Sequence, residues 1–187
     1  VRGNNDHGVA HGGSIGVEPG LSEAFLAMRE FTRSQLTEDD LRWLGELPLQ
    51  QRVSLGGASF HLVHAAPSEP LSKRLHLLKT PQAKLEAELA GIEADVLFVG
   101  HTHMPALRKV GETIIVNPGS VGQPRHGSPH GTYAVWLDGE LVIRHLHYDF
   151  RTTQRKLACL PLDPDLMDEL QTILKRGGLW ADTDSHR

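Results

Sequence analysis

Apolar positions along this chain recur at two spacings, and the switch between them marks out helices and strands. Phe25, Leu26, Met28 and Phe31 fall near helical spacing behind Ser22, a residue suited to cap a helix. Thr37-Glu38-Asp39-Asp40 reads as a capping box, with Asp in place of the usual Glu, ahead of Leu41, Trp43, Leu44 and Leu47. Pro48 stops that helix. Both helices are expected to cover a sheet, with Trp43 as a core anchor. Val53 and Leu55, then Gly56-Gly57, then Phe60, Leu62 and Val63 predict a hairpin whose second strand runs into His64. Leu71 to Leu78 fits neither period. Pro81 opens a helix with Leu85 and Leu89 inside and Lys84, Glu86 and Glu88 on the wet side.

The run from Asp95 to Val99 is short and apolar, as a strand in the middle of a sheet is. Strands follow at Leu107 to Val110 and Thr113 to Val116 around Gly111-Glu112, and at Tyr133 to Leu137 and Leu141 to Leu146 around Asp138-Gly139. Arg151 to Ala158 and Asp165 to Lys175 read as helices, and the last dozen residues as frayed. Phe98 and Trp136 are placed in the core. Gly3 to Gly20 has turn chemistry and no hydrophobic period, and is read as a loop. Alternation early and hairpins late predict a layered α/β sandwich.

Length and charge narrow the picture. At 187 residues the chain suffices for one domain, 1–187, with a substantial core. A net charge of −4 without a dense Lys/Arg run argues against general nucleic-acid or anionic-membrane binding. Cys159 is the sole cysteine, which rules out an internal disulfide and a thiolate zinc site. No apolar run approaches bilayer length, and the first residues do not resemble a signal peptide, so a cytoplasmic protein is expected. The first residue is Val, and Val1-Arg2-Gly3 reads as the end of a strand. The chain is therefore expected to be a portion of a longer one.

Histidine carries the candidate chemistry, at 12 residues against 5 Phe and 2 Tyr. In Leu97-Phe98-Val99-Gly100-His101-Thr102-His103-Met104-Pro105, a strand runs through a glycine into two histidines two apart. On extended backbone these project to one side about 6.5 Å apart. That spacing suits one imidazole on each of two ions, or one on an ion and one on substrate, and equally a hydrogen-bonded loop pair. His64 and Gly3-Asn4-Asn5-Asp6 also follow strand-like runs, where open α/β sheets place their sites.

In order, Gly3-Asn4-Asn5-Asp6, His64-Ala65-Ala66-Pro67 and Gly100-His101-Thr102-His103 resemble the later motifs of the calcineurin-like metallophosphoesterases. Val116-Asn117-Pro118-Gly119-Ser120-Val121-Gly122-Gln123-Pro124-Arg125 is similar to their small bacterial phosphodiesterase branch. The resemblance implies a layered αββα sandwich lacking its first βα units, because the family's Asp-x-His and Gly-Asp-x-x-Asp motifs have no counterpart. It implies that Asn4, His64 and His101 hold one divalent metal ion and His103 another, each Mn, Fe, Ni or Zn, with fewer ions if those front motifs are missing. Asp6 takes the motif's acidic position as a catalytic or orienting carboxylate, and Arg125 is a candidate phosphate grip. Asn5 departs from the family, many members of which have His there as general acid while the small phosphodiesterase branch typically has Cys, and an amide transfers no proton at neutral pH. Asn117 and Ser120 are expected to shape a turn, and His7, His11, His126 and His130 lie on loops. The implied activity is hydrolysis of small phosphodiesters or nucleotide-like phosphoesters by a metal-activated water, with a homo-oligomer as a candidate assembly. The alternative is a catalytically impaired binding scaffold on the same fold.

Overall fold

A computed structural model describes residues 1–17 and 22–178. The side-chain cap expected of Ser22 and the fraying expected beyond Gly178 lie outside the described residues. Two compact units make up the chain, Val1–His101 with Leu107–Val116, and Thr102–Ala106 with Asn117–Arg187. Among the described residues no helix is long and apolar enough to cross a membrane.

The first unit holds helices α1 (Asn4–His11), α2 (Ser22–Ser34), α3 (Glu38–Glu46) and α4 (Gln82–Leu89). Its strands are β1 (Gln50–Leu55), β2 (Ala58–Val63), β3 (Val96–Phe98) and most of β4 (Ala106–Val110) and β5 (Thr113–Asn117). They form one mixed sheet in the order β1-β2-β3-β5-β4. β1 and β2 are the expected antiparallel hairpin around Gly56-Gly57. β2 and β3, and β3 and β5, pair in parallel, with α4 as the crossover between β2 and β3. Leu85, Val96, Leu97, Ile115 and Val116 are fully buried, so the apolar run read as a central strand sits at the centre of the core. Asp95 fixes the β2–β3 register by accepting from the Ser59 amide (2.7 Å) and hydroxyl (2.6 Å).

Residues 4–11 are a helix rather than loop. Its stabilisation comes from elsewhere in the chain. The Asp6 carboxylate accepts from the Gly3 amide at 2.7 Å, closing the first turn, while Arg33 of α2 donates to the Val9 and Ala10 carbonyls at the other end. The apolar residues of α2, Phe25, Leu26, Met28 and Phe31, are only half-buried, and among its described side chains the buried one is Arg29. On α3 the Thr37–Asp40 box forms as expected. Trp43, however, is 64% exposed, so it is no core anchor. It follows buried Leu41 by two residues, which carries it around the helix from the inward face. Glu88 is likewise buried rather than wet, because it sits one turn from Leu85 on the same face. There its carboxylate accepts from the Ser68 amide (3.0 Å), the Ser68 hydroxyl (2.8 Å) and the Lys73 ammonium (2.6 Å). Burial raises this carboxyl, and those donors outweigh it, leaving it below the ordinary glutamate value.

The second unit contains the hairpin β6 (Gly131–Leu137) and β7 (Glu140–Leu146), turned at Asp138-Gly139, then α5 (Phe150–Leu157) and α6 (Pro164–Arg176). Trp136, like Phe98 of the first unit, is half-buried. Leu166, Leu170, Ile173 and Leu174 form the inward face of α6, capped by Asp163 at one end and by left-handed Gly177 at the other.

A Cβ built on Gly8 would lie 2.6 Å from the Arg29 guanidinium, which four hydrogen bonds hold in place. Gly8→Ala is therefore expected to destabilise by about 1–3 kcal/mol through overpacking. Helix propensity alone would favour alanine by about 1 kcal/mol. A thermal midpoint raised by the substitution contradicts this.

Candidate functional site

Because β2 and β3 run parallel with Phe60 opposite Val96 and Leu62 opposite Phe98, the chain leaves both strands at the same edge. His64 follows β2 by one residue, and Gly100-His101 follows β3 by two. The Gly100 amide donates to the His64 carbonyl at 2.7 Å, and a side chain at Gly100 would press on that oxygen. His101 takes a left-handed conformation with φ 63°, which a residue with a side chain adopts at a cost of about 1–3 kcal/mol. His103 does the same with φ 57°. Backbone held in this way marks positions where direction matters more than comfort.

Asn4, the first residue of α1, brings the third group. Its Nδ2 donates to the Gly16 carbonyl at 3.3 Å, which turns Oδ1 toward His64. Asn4 Oδ1 lies 2.8 Å from His64 Nε2, and His64 Nε2 lies 3.2 Å from His101 Nδ1. Asn4 and His101 are buried and His64 half-buried. A single proton on His64 Nε2 satisfies one of those two neighbours. A cation beyond all three would satisfy them together, and donors at about 2.1 Å from one ion stand about 3 Å apart when cis. The donor types, two imidazoles and an amide oxygen, suit a borderline divalent ion, and three protein ligands with an open position is the pattern of a catalytic site. Burial holds His64 below the ordinary histidine value, against the opposing charge of Asp6, which favours the neutral ring that binds metal. No carboxylate joins these donors: among the described residues no group of three or more His, Cys, Asp or Glu side chains is placed to hold an ion.

Two side chains beside the cluster are held by α1 and α2. Asp6 is the capping carboxylate of α1. Asn5 is exposed, with its Oδ1 accepting from Arg29 Nε at 3.1 Å. Arg29 also donates to the carbonyls of Asn4, Gly13 and Ile15. Sequence reading misses Arg29, although its place one turn after Phe25 on an apolar face is a signal: a cation there must find buried acceptors.

His103 and Arg125 belong to the second unit. The Gln123 carbonyl lies 2.7 Å from His103 Nδ1, so that nitrogen carries the proton and Nε2 is the basic one. Gln123 is itself fixed, its amide donating to Ser120 Oγ (2.9 Å) while Ser120 and Thr132 bond reciprocally. Asn117 donates to Thr102 Oγ1 and accepts from the Gly119 amide, both at 2.9 Å, so Asn117 and Ser120 shape the turn as expected. Arg125 is half-buried on the same loop.

That loop also meets β7 and the residue that follows it through histidines. The His126 and His145 rings lie 6.0 Å apart, and those of His130 and His147 3.9 Å apart. Both ring nitrogens of His126 are buried with no hydrogen-bond partner. Burial first, then the charges of His145 and His130, hold His126 below its ordinary value. The unfolded chain therefore binds the extra proton more readily, and the stability tied to His126 is present above about pH 6.5 and lost as the pH falls below it. His126→Gln is expected to flatten the acid side of the stability–pH curve from chemical denaturation. An unchanged acid limb contradicts this.

Comparison with known proteins places this geometry in context. A family model described as the calcineurin-like phosphoesterase superfamily domain matches residues 1–138. The uncharacterized protein MJ0912 of Methanocaldococcus jannaschii is 25% identical over 175 residues, 84% of this chain and 68% of that protein. Phosphodiesterase YfcE of Escherichia coli K12 is 51% identical over 48 residues, 26% of this chain and 25% of that protein. In fold, the metallophosphoesterase of Sphaerobacter thermophilus superposes with a TM-score of 0.67 at 23% identity, covering 90% of this chain and 74% of the other.

Proposed function

We propose, since this chain belongs to the calcineurin-like phosphoesterase superfamily, that it hydrolyses small phosphodiesters or nucleotide-like phosphoesters with a metal-activated water. The observation that carries this reading is the meeting of three donors, with His64 Nε2 standing 2.8 Å from Asn4 Oδ1 and 3.2 Å from His101 Nδ1. In this reading those atoms hold one divalent ion, and His103 offers Nε2 to a second. Mn, Fe, Ni and Zn all suit imidazole and amide donors. Such ions, when bound, lower the pKa of coordinated water and polarise phosphoryl oxygens.

The chain's own groups do the rest. Gly16 keeps the Asn4 amide turned with its oxygen inward, and Gln123 keeps the His103 proton on Nδ1. Asp6, tied to the Gly3 amide, holds α1 and its leading Asn4 in place and sets a negative charge beside His64. Arg125 supplies a planar fork for non-bridging phosphate oxygens. Asn5 cannot protonate the leaving oxygen, and its own Oδ1 accepts from Arg29, so that proton comes from water or a histidine. A binding scaffold on the same fold is the second reading, favoured by the lack of a carboxylate among the clustered donors.

Equilibrium dialysis with Mn²⁺, beside hydrolysis of an aryl phosphodiester, tests the proposal. His64→Ala and His101→Ala are each expected to abolish the bound ion and lower kcat/KM by roughly a hundredfold or more. Metal bound by the unaltered chain without turnover under any divalent ion would favour the scaffold. Full activity in both variants would exclude this cluster.

A further inference from the structure

Residues 118–130, between β5 and β6, have no regular secondary structure, yet they carry Arg125 and also Gln123, whose carbonyl sets the proton of His103 on Nδ1. The backbone ties of this loop include the Gln123 amide on Ser120 Oγ, the Gly127 amide on the Gly177 carbonyl past the end of α6 (3.0 Å), and the Thr132 amide on the Ser120 carbonyl (3.0 Å). Its ring contacts are made by histidines. His126 meets His145 of β7, and His130 meets His147, one residue past the end of β7, with centroids 6.0 Å and 3.9 Å apart.

The bonding of these rings is unusual. Both nitrogens of His126 and Nδ1 of His130 are buried with no hydrogen-bond partner. A neutral His126 leaves one donor and one acceptor unmet, whereas an imidazolium would leave two charged donors unmet, a far larger penalty. The surroundings add to it. The charges that reach His126 are those of His145 and His130, and both oppose its protonation. Thr132 of β6, opposite His145, carries no charge. The last turn of α6, tied to the loop through Gly177, carries Lys175 and Arg176, while Arg125 precedes His126 and Arg144 precedes His145. Asp149, the acid nearest to His147 along the chain, accepts from the Thr152 hydroxyl and pairs with Arg155 instead.

We propose that His126 and His130, with His145 and His147, form an acid-operated latch: neutral rings hold residues 118–130 against β7, and protonated rings release the loop, taking with it the Gln123 carbonyl that fixes His103 and the Arg125 fork. The latch stands on the loop and its histidines alone, and its effect on the site rests on the function proposed above. Burial keeps His126 below the ordinary histidine value, so the closed loop is favoured above about pH 6.5, and below that the open loop takes up the proton. Each proton taken up on opening raises the open population about tenfold per pH unit.

Amide hydrogen exchange of the chain, corrected for the intrinsic pH dependence of exchange, tests the latch. Between about pH 7.5 and about pH 5.5 the protection of Gln123 and Gly127 is expected to fall about tenfold or more, while amides within α6 and the β6–β7 ladder keep theirs. The double variant H126F/H130F keeps aromatic rings and removes the titrating nitrogens, and its loop is expected to stay protected at both pH values. In the unaltered chain the ring resonances of His126 and His130 are expected to titrate in step with the loss of protection. Loop protection that does not change with pH, an equal fall in the double variant, a fall shared by α6 and the ladder, or histidines that titrate while the loop stays protected would overturn the proposal.

Discussion

One buried guanidinium underlies the candidate site. Arg29 is buried on α2 with no carboxylate partner among the described residues, and removing such a charge from water costs several kcal/mol unless its donors are met. They are met by four oxygens: the carbonyls of Asn4, Gly13 and Ile15 and the side chain of Asn5. The same bonds hold the start of α1 against the segment that follows it. Because Asn4 opens α1, the position of its amide oxygen beside His64 depends on a side chain thirteen residues of chain beyond Gly16. Gly8 matters for the same reason, since any side chain there would occupy the place of the guanidinium.

Parallel strand pairing supplies the other half. In register, β2 and β3 end at one edge, and the hydrogen bond from Gly100 to His64 binds the two exits together. The chain then turns through left-handed His101, which sets the direction of its ring. The loop after His64 is pinned in turn by buried Glu88 through Ser68. Rigid supports of this kind matter for a metal site, because donors must be aimed before an ion arrives.

Features decided by neighbours in sequence were legible from sequence. The Gly56-Gly57 and Asp138-Gly139 hairpins, the Thr37–Asp40 box, the proline before α4 and the apolar run of β3 are such cases. Helix α1 was not, because its far end is capped by Arg33 from another helix and its own residues carry little amphipathic pattern. Trp43 and Glu88 went the opposite way from their side-chain chemistry, since helix phase placed one outward and the other inward. The motifs that single out Asn4, His64 and His101 are local, but their meeting follows from parallel register, and Arg29 behind them has no motif at all.

The central claim is that three neutral donors meet in order to hold a cation. Anomalous diffraction from crystals grown with Mn²⁺, recorded above the manganese edge, tests it most directly. The account predicts an anomalous peak within about 2.3 Å of Asn4 Oδ1, His64 Nε2 and His101 Nδ1. A cluster without a peak at saturating Mn²⁺, its donors joined only by hydrogen bonds, would contradict it.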